Sequence, residues 1–172
     1  MAVRANTLTR VLDIISSSQA STVLTLVFGQ VHYLKVGDAF TVSNNFAFTV
    51  ASVVDTLTIT VTVLATNKYD FTNQQAIMPY LSTGQTGRFT IPFALEKNSG
   101  LVQYVVSGTG GASFTVAGSL EKNYPLPTLA TVTLPATDGS TDSLVITTPY
   151  TYLHFTITSI GTNTQLIIKY IG

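Results

Sequence analysis

The segment Thr56–Val63 constrains the fold more than any other part of this 172-residue chain. Threonine occupies every second position, and the residues between are Leu57, Ile59, Val61 and Val63. Because successive side chains of a β-strand point to opposite faces, the pattern predicts a strand with one apolar face and one hydroxyl face. Half-buried strands of this kind are typical of antiparallel sheets. A shift of one residue would carry the threonines into the core, so the register is strongly specified.

The composition extends this prediction to the whole chain. There are 29 threonines and 18 valines, which are β-branched and therefore suit strands better than helices. Charged residues make up 9%, against roughly 25% in an ordinary protein. Because the helix formers Glu, Lys and Arg are scarce, exposed helix faces would be hard to build. The sequence therefore predicts an all-β protein.

A polar stretch without periodicity divides the chain. Residues 67–75 carry no sustained apolar pattern, and loop residues continue to Gly87. We therefore expect two tandem antiparallel modules, each close to the lower size range of independent domains. The first is a small barrel-like module over residues 1–78, and the second is a β-sandwich or jelly-roll-like module over residues 79–172.

The expected strands are short and separated by turn residues. The first module should hold strands at 7–16, 22–28, 31–36, 39–42, 46–51 and 56–63, with a loop at Ser16–Ser21. Residues 7–16 also fit helical spacing, and their β-branched residues favour the strand. The second module should hold seven strands at 87–95, 101–107, 112–120, 126–134, 143–148, 150–159 and 164–171.

The two histidines of the chain are His32 and His154. His154 shares the polar face of the strand 150–159 with Tyr152 and Thr156, so we expect a surface or interface residue. We interpret His32 in the same way. The alternative for either is a general base or a metal ligand.

The acidic residues near turns are expected to be solvated charges. Glu96 and Glu121 are the only glutamates, and each is followed by lysine. The alternative is a pair of acids converging across a cleft, as carboxylate-pair hydrolysis needs. Asp138–Asp142 matches part of a calcium loop but lacks the terminal glutamate, so a tight turn is predicted, with an incidental calcium site as the alternative.

Glycines and tyrosines offer two further candidates. Gly108–Gly111 is predicted to be a hairpin turn, because no helix follows that could bind a phosphate at its N-terminus. The tyrosines at 104, 124, 150 and 152 are expected in the core or at an interface, the alternative being a platform on which sugars stack.

Several classes of protein are excluded or disfavoured. Without cysteine there is no disulfide scaffold or cysteine zinc site. The formal net charge of zero gives no basic excess to neutralise nucleic-acid phosphates. No apolar run is long enough to span a membrane, and Asp13 interrupts the run Val11–Ile15, so no signal peptide is expected. We assign no catalytic, cofactor-binding or metal-binding residue.

The segment Val105–Leu120 forms a strand, a glycine turn and a second strand that ends in Gly-Ser-Leu. This arrangement, with the closing strands Tyr150–Ile160 and Thr164–Ile171, resembles a β-sandwich module of tailed-bacteriophage virion proteins. Val36–Val42 is similar to the start of small β-barrels in phage structural components. Where the sandwich pattern often has Asp-Gly after Ser-Leu, this chain has Glu121 and lysine. The resemblance implies structural and assembly work without catalytic residues.

We therefore expect a non-enzymatic structural protein located in the virion. Low net charge promotes association, and partners covering the surface would explain its shortage of charge. The specific expectation is a capsid decoration, or cement, protein that forms homo-oligomers and binds the major capsid or tail proteins. The alternative is a tail-tip or fibre module that binds a host receptor or glycan. No cofactor, nucleic acid or membrane is expected.

Overall fold

The computed structural model describes residues 6–43, 45–94, 99–123 and 127–171. Strands account for 61% of the structure and there is no helix in the described ranges, so the all-β prediction is confirmed. None of these residues therefore belongs to a helix that could cross a membrane. The chain divides into two compact units. Thr9–Pro79 forms one, and Tyr80–Gly172 groups with Met1–Leu8 in the other.

The first unit, here called the barrel unit, follows a short strand β1 at Asn6–Thr7 that belongs to the other unit. Its strands are β2 (Arg10–Ala20), β3 (Val23–Phe28), β4 (Ala39–Val42), β5 (Phe46–Val53), β6 (Thr58–Thr62) and β7 (Gln75–Met78). They pair antiparallel in the order β2-β3-β6-β5-β4-β7, and β7 returns to β2 to close the barrel.

Two bulged strands close the barrel. The first part of β2 pairs with β7 and the rest pairs with β3, with a register shift between Ile14 and Ser16. Likewise β5 pairs first with β4 and then with β6, with a shift between Val50 and Ser52. Because a bulge bends a strand and increases its twist, each of these strands turns from one part of the barrel wall to the next.

The alternating segment forms β6 as predicted, in a shorter form. Ile59 and Val61 are buried, and Val63 is buried just beyond the strand. Leu57 is 38% exposed, so its predicted inward position was wrong. The strand begins only at Thr58, and Leu57 belongs to the turn before it, where the alternation of a strand no longer applies.

The loop predicted at Ser16–Ser21 was wrong, because β2 continues to Ala20. Its serines make hydrogen bonds that support an extended strand. Ser17 Oγ accepts from the amide of Phe71 at 2.8 Å and donates to Asp70 Oδ1 at 3.0 Å. Serine favours turns when it bonds to its own backbone, and here its partners lie on a distant segment.

The strand predicted at Val31–Val36 was also wrong. This stretch belongs to an irregular segment, Gly29–Val36, which we call the strap. Tyr33 has φ +53°, in the left-handed region that an L-residue with a bulky side chain rarely adopts. A residue in that conformation cannot continue a strand.

The second unit, here called the sandwich unit, contains two antiparallel sheets. Besides β1, its strands are β8 (Leu81–Ser82), β9 (Gly87–Pro92), β10 (Gly100–Gly108), β11 (Ala112–Ser119), β12 (Thr128–Leu134), β13 (Thr141–Ile146), β14 (Tyr152–Ile160) and β15 (Thr164–Ile171). One sheet has the order β1-β15-β10-β13, with β8 also on β15, and the other has the order β12-β11-β14-β9. All seven predicted strands are present, β15 with the predicted ends and the other six with shifted ends; the predicted ends at residues 95 and 126 lie outside the described residues.

The core of the sandwich unit lies between these sheets. Val102, Tyr104 and Val106 project into it from β10, and Phe114 and Val116 project from β11. Leu153, Phe155 and Ile157 of β14 and Leu166 and Ile168 of β15 complete its centre. Each set is spaced by two residues, as expected for strands with one buried face.

The segment Gly108–Gly111 is not the predicted hairpin turn. It leaves β10 in one sheet and enters β11 in the other, and these two strands do not pair. A glycine-rich link between alternating segments has the same local sequence whether its strands pair or separate into two layers, so the pattern could not distinguish them.

Candidate functional site

His154 lies inside the sandwich unit with both ring nitrogens hydrogen-bonded. It is 1% exposed, so the prediction of a surface or interface histidine was wrong. Thr90 Oγ1, on β9, lies 2.9 Å from Nδ1, and Ser119 Oγ, at the end of β11, lies 2.7 Å from Nε2. His154 shares its face of β14 with the exposed Thr156 and Thr158, but the hydroxyls of Thr90 and Ser119 on the neighbouring strands engage its ring.

The direction of these bonds excludes a Ser–His nucleophile. The Ser119 hydroxyl donates its proton to the backbone oxygen of Glu121, so it accepts from Nε2–H of His154. Nδ1 therefore accepts from Thr90. A base that activates serine must accept the serine proton, which is the opposite arrangement. Burial and the charge of Arg88 lower the pKa of His154, which keeps the ring neutral.

The segment Asp138–Asp142 forms a turn and the start of β13, and its carboxylates accept hydrogen bonds from backbone amides. Gly139 has φ +77°, and the amide of Gly108 donates to Asp138 Oδ1 at 2.8 Å. Asp142 Oδ1 accepts from the amide of Ser143 at 2.7 Å. The predicted tight turn is present. Across the described ranges no three histidines or acids gather as metal ligands.

The remaining candidates for a site are glutamates and tyrosines. Glu121 is exposed, while Glu96 and Tyr124 lie outside the described residues. Tyr104 is fully buried and packs edge-on against Phe114, with ring centroids 4.9 Å apart. Tyr104 is thus a core residue, as predicted.

Tyr150 and Tyr152 are half-buried. The Tyr150 ring lies so close to Gly118 that a Cβ there would approach it to 2.4 Å. These two rings therefore present only part of their surface to solvent, which leaves little flat area for a sugar to stack on.

A different cluster forms where the strap crosses the barrel unit. Arg10 lies on the inward face of β2, the same face as the buried Leu12, and is 7% exposed. Its guanidinium donates to the backbone oxygens of Val31 and His32 and lies 5.1 Å from the centre of the Tyr33 ring. Because hydrogen bonds from a charged donor are strong, Arg10 holds the strap in place, although the strap belongs to none of the strand pairs of the described residues.

His32 is the second clamp and is 2% exposed, so its predicted surface position was also wrong. The amide of Leu34 donates to Nδ1 at 2.8 Å, and Nε2 lies 2.8 Å from the backbone oxygen of Asp55. Since the amide can only donate and the carbonyl can only accept, the ring is the Nε2–H tautomer.

Sequence reasoning missed this cluster, although one signal was present. Arg10, Leu12 and Ile14 share one face of β2, and a charge on an apolar face needs hydrogen-bonding partners when it is buried. That signal indicates that Arg10 has partners, but it does not name them.

The strap lies directly beside the turn between β5 and β6. The amide of Phe28 donates to the Leu57 oxygen at 2.8 Å, and the amide of His32 donates to the Thr56 oxygen at 3.1 Å. Exposed apolar side chains flank this junction, and we call them the strap–hairpin surface. They are Val31 (39% exposed), Tyr33 (37%), Val54 (62%) and Leu57 (38%).

No protein-family model and no curated protein matches the chain. Among solved structures, the chain is similar to Arthrobacter globiformis T6 isomalto-dextranase complexed with panose, at 12% identity and a TM-score of 0.34. The match covers 95% of this chain and 34% of that protein, so the chain spans about a third of its length. That similarity carries no functional argument. The strap–hairpin surface therefore has to be interpreted from its own geometry.

Proposed function

We propose that the chain is a non-enzymatic structural protein of a virus particle, whose copies bridge neighbouring subunits. Its most specific form is a capsid decoration protein that binds its own copies and the major capsid protein. The observation that carries the proposal is the strap–hairpin surface, which presents four partly exposed apolar side chains where the strap is bonded to the turn between β5 and β6, in a chain with 9% charged residues. Apolar side chains grouped on a surface are typical of contact sites.

Stable contacts between protein subunits require a large buried area and a few well-packed anchor residues. A stable contact usually buries about 1,200–2,000 Å² in total, with a few apolar or aromatic anchors near its centre. The Tyr33 ring is 37% exposed, and Arg10 and His32 hold the backbone around it. Because this segment is already ordered, binding costs little conformational entropy. Threonine hydroxyls, of which the chain has 29, can form hydrogen bonds at a contact with a smaller desolvation cost than charged groups.

The geometry of the histidines supports a role without catalysis. Both rings have their nitrogens engaged by backbone or hydroxyl groups, and His154 donates toward Ser119 instead of accepting from it. A serine-directed fluorophosphonate probe should therefore leave Ser119 unlabelled. Labelling of Ser119 would contradict the proposal.

The direct test is the location of the chain in a particle. Particles of the encoding virus would be purified on a density gradient and analysed by peptide mass spectrometry. An antibody against the recombinant chain would locate it on them by electron microscopy. We expect many copies per particle on the capsid surface. Absence from gradient-purified particles would overturn the proposal.

The alternative of glycan binding is less well supported than capsid decoration, because the described tyrosines Tyr104 and Tyr150 offer little ring surface for stacking. Tyr104 is fully buried and Tyr150 lies against Gly118. A glycan array probed with the labelled chain tests it, and saturable binding to one glycan class together with antibody labelling at the tail tip would favour it over capsid decoration.

A further inference from the structure

Arg10 and His32 both hold the strap, and acid affects these two side chains differently. The guanidinium of Arg10 stays charged at every pH that a protein meets, so its bonds to the strap carbonyls persist. His32 can take up a proton, and the only ring position for it is Nδ1. That nitrogen already accepts the Leu34 amide at 2.8 Å.

We propose that His32 is an acid-sensitive latch, which holds the part of the strap that carries Leu34 in place at neutral pH and releases that part when Nδ1 is protonated. A backbone amide has a hydrogen to give and no lone pair to offer. After protonation, two N–H groups would face each other across 2.8 Å, so the bond between His32 and Leu34 is lost. The inference stands independently of the role in a particle.

His154 provides a comparison within the same chain. Its Nδ1 faces the hydroxyl of Thr90, which can rotate and accept a hydrogen bond after the ring is protonated. Its Nε2–H bond to Ser119 needs no change. Both histidines are buried. The Leu34 amide bonded to His32 can only donate a hydrogen bond, whereas the Thr90 hydroxyl bonded to His154 can also accept one. The latch therefore depends on the identity of the partner.

Charged groups face His32 from two sides. Arg10 approaches from β2, and its positive charge disfavours an imidazolium. Asp55 approaches from the turn between β5 and β6 and favours one, although its carboxylate is engaged with the Leu57 amide at 2.7 Å. The ring of Phe28, 5.7 Å from that of His32, is uncharged. Burial is the largest influence and, with Arg10, lowers the pKa of His32 below 6.5.

The direction of the pH effect follows from proton uptake. Above pH 6.5 the ring is neutral whether the strap is bound or released, so the latch is fully closed. Below 6.5 a solvent-exposed histidine takes up a proton, while the buried ring resists it because its pKa is lowered. The ratio of bound to released strap then falls by up to about tenfold for each pH unit, until the lowered pKa is reached.

Release would enlarge the strap–hairpin surface. Leu34 is 3% exposed while its amide is bonded to His32. Loss of that bond frees the part of the strap that carries Leu34, so an apolar side chain becomes available beside Tyr33. The segment that opens is short and irregular, which places it among the parts of a fold that open most easily.

Amide hydrogen exchange between pH 7.5 and 5.0, corrected for intrinsic rates, tests the latch in the intact chain. We expect protection of the Leu34 amide to fall by up to about tenfold per pH unit below 6.5, while the β14 amides around His154 keep theirs. Nitrogen chemical shifts at pH 7.5 should show the Nε2–H tautomer of His32. Unchanged protection of Leu34, or an Nδ1–H tautomer, would overturn the proposal.

A variant separates the latch from general acid sensitivity. His32→Asn offers an amide oxygen to the Leu34 amide and cannot titrate, so the pH dependence of strap exchange should disappear. His154→Asn should leave the pH dependence of strap exchange as it is in the unaltered chain. If His32→Asn does not fold, the exchange and tautomer measurements on the unaltered chain decide the matter.

Discussion

Gly110 and Gly161 pack backbone against backbone in the sandwich unit. A Cβ on Gly161 would lie 1.8 Å from the carbonyl oxygen of Gly110, and a Cβ on Gly110 would lie 2.4 Å from the carbonyl carbon of Gly161. The amide of Gly161 also donates to the oxygen of Gly111 at 3.0 Å. The link between β10 and β11 therefore crosses the link between β14 and β15 at a distance that only glycine permits.

Gly161→Ala should lower the free energy of unfolding by about 3 kcal/mol, because the methyl group meets backbone that cannot move aside. Urea denaturation measures the loss. Gly139→Ala is the control, since a Cβ there meets nothing within 4 Å and only its positive φ opposes the change, which costs about 1–2 kcal/mol. Equal losses in the two variants would show that the crossing is not tight.

Tyr104→Phe should leave the sandwich unit at least as stable as before. The Tyr104 hydroxyl is buried without a hydrogen-bond partner among the described residues, and an unpaired buried hydroxyl costs about 1–3 kcal/mol. The phenylalanine ring keeps the edge-on contact with Phe114. Tyr104→Ala, which removes the ring, should lose about 3–5 kcal/mol. A clear loss on Tyr104→Phe in denaturant titrations would reveal a partner for the hydroxyl.

Alkaline pH should destabilise the chain partly through the same residue. Burial, and secondarily the charge of Asp142, raise the pKa of Tyr104. Above pH 10 an unfolded tyrosine loses its proton while the folded Tyr104 keeps it, so stability falls as pH rises. Thermal melts from pH 8 to 11 should show a shallower fall for Tyr104→Phe. An equally steep fall for Tyr104→Phe would contradict the raised pKa of Tyr104.

Ser119→Ala should destabilise the sandwich unit by about 1–3 kcal/mol, because it leaves Nε2–H of the buried His154 without its acceptor. Thr158→Val removes a hydroxyl from an exposed bond to the Ser113 oxygen and should change stability by less than about 0.5 kcal/mol. Differential scanning calorimetry compares them. A neutral result at Ser119 would contradict the hydrogen-bond directions assigned around His154.

Val54→Glu should weaken self-association about tenfold while leaving the folding free energy within about 0.5 kcal/mol, since the side chain is 62% exposed. Sedimentation velocity over a concentration series measures the first effect and denaturant titration the second. Val145→Glu on β13, at 64% exposure, is the matched control. An equal effect of both changes would mean that the contact does not depend on the strap–hairpin surface.

The sequence predicted a region well where short-range patterns determine its structure, and poorly where contacts between distant residues do. β6 lies within the predicted 56–63 because it alternates strictly between threonine and apolar residues, and β15 matches the predicted strand at 164–171, a stretch rich in β-branched residues. The serines of β2 were misassigned because their tendency to turn is weak. Backbone pairing with β3 and two side-chain hydrogen bonds between Ser17 and residues more than 50 positions away support the extended strand.

The all-β class followed from the chain itself, because β-branched residues and a period of two act within a few neighbouring positions. Only the tertiary structure decided that β10 and β11 enter different sheets and that the strap is clamped by Arg10 and His32. Those outcomes depend on hydrogen bonds and packing between residues far apart in the chain. A local pattern shows that a buried Arg10 or His32 needs partners, and the folded chain alone determines which groups they are.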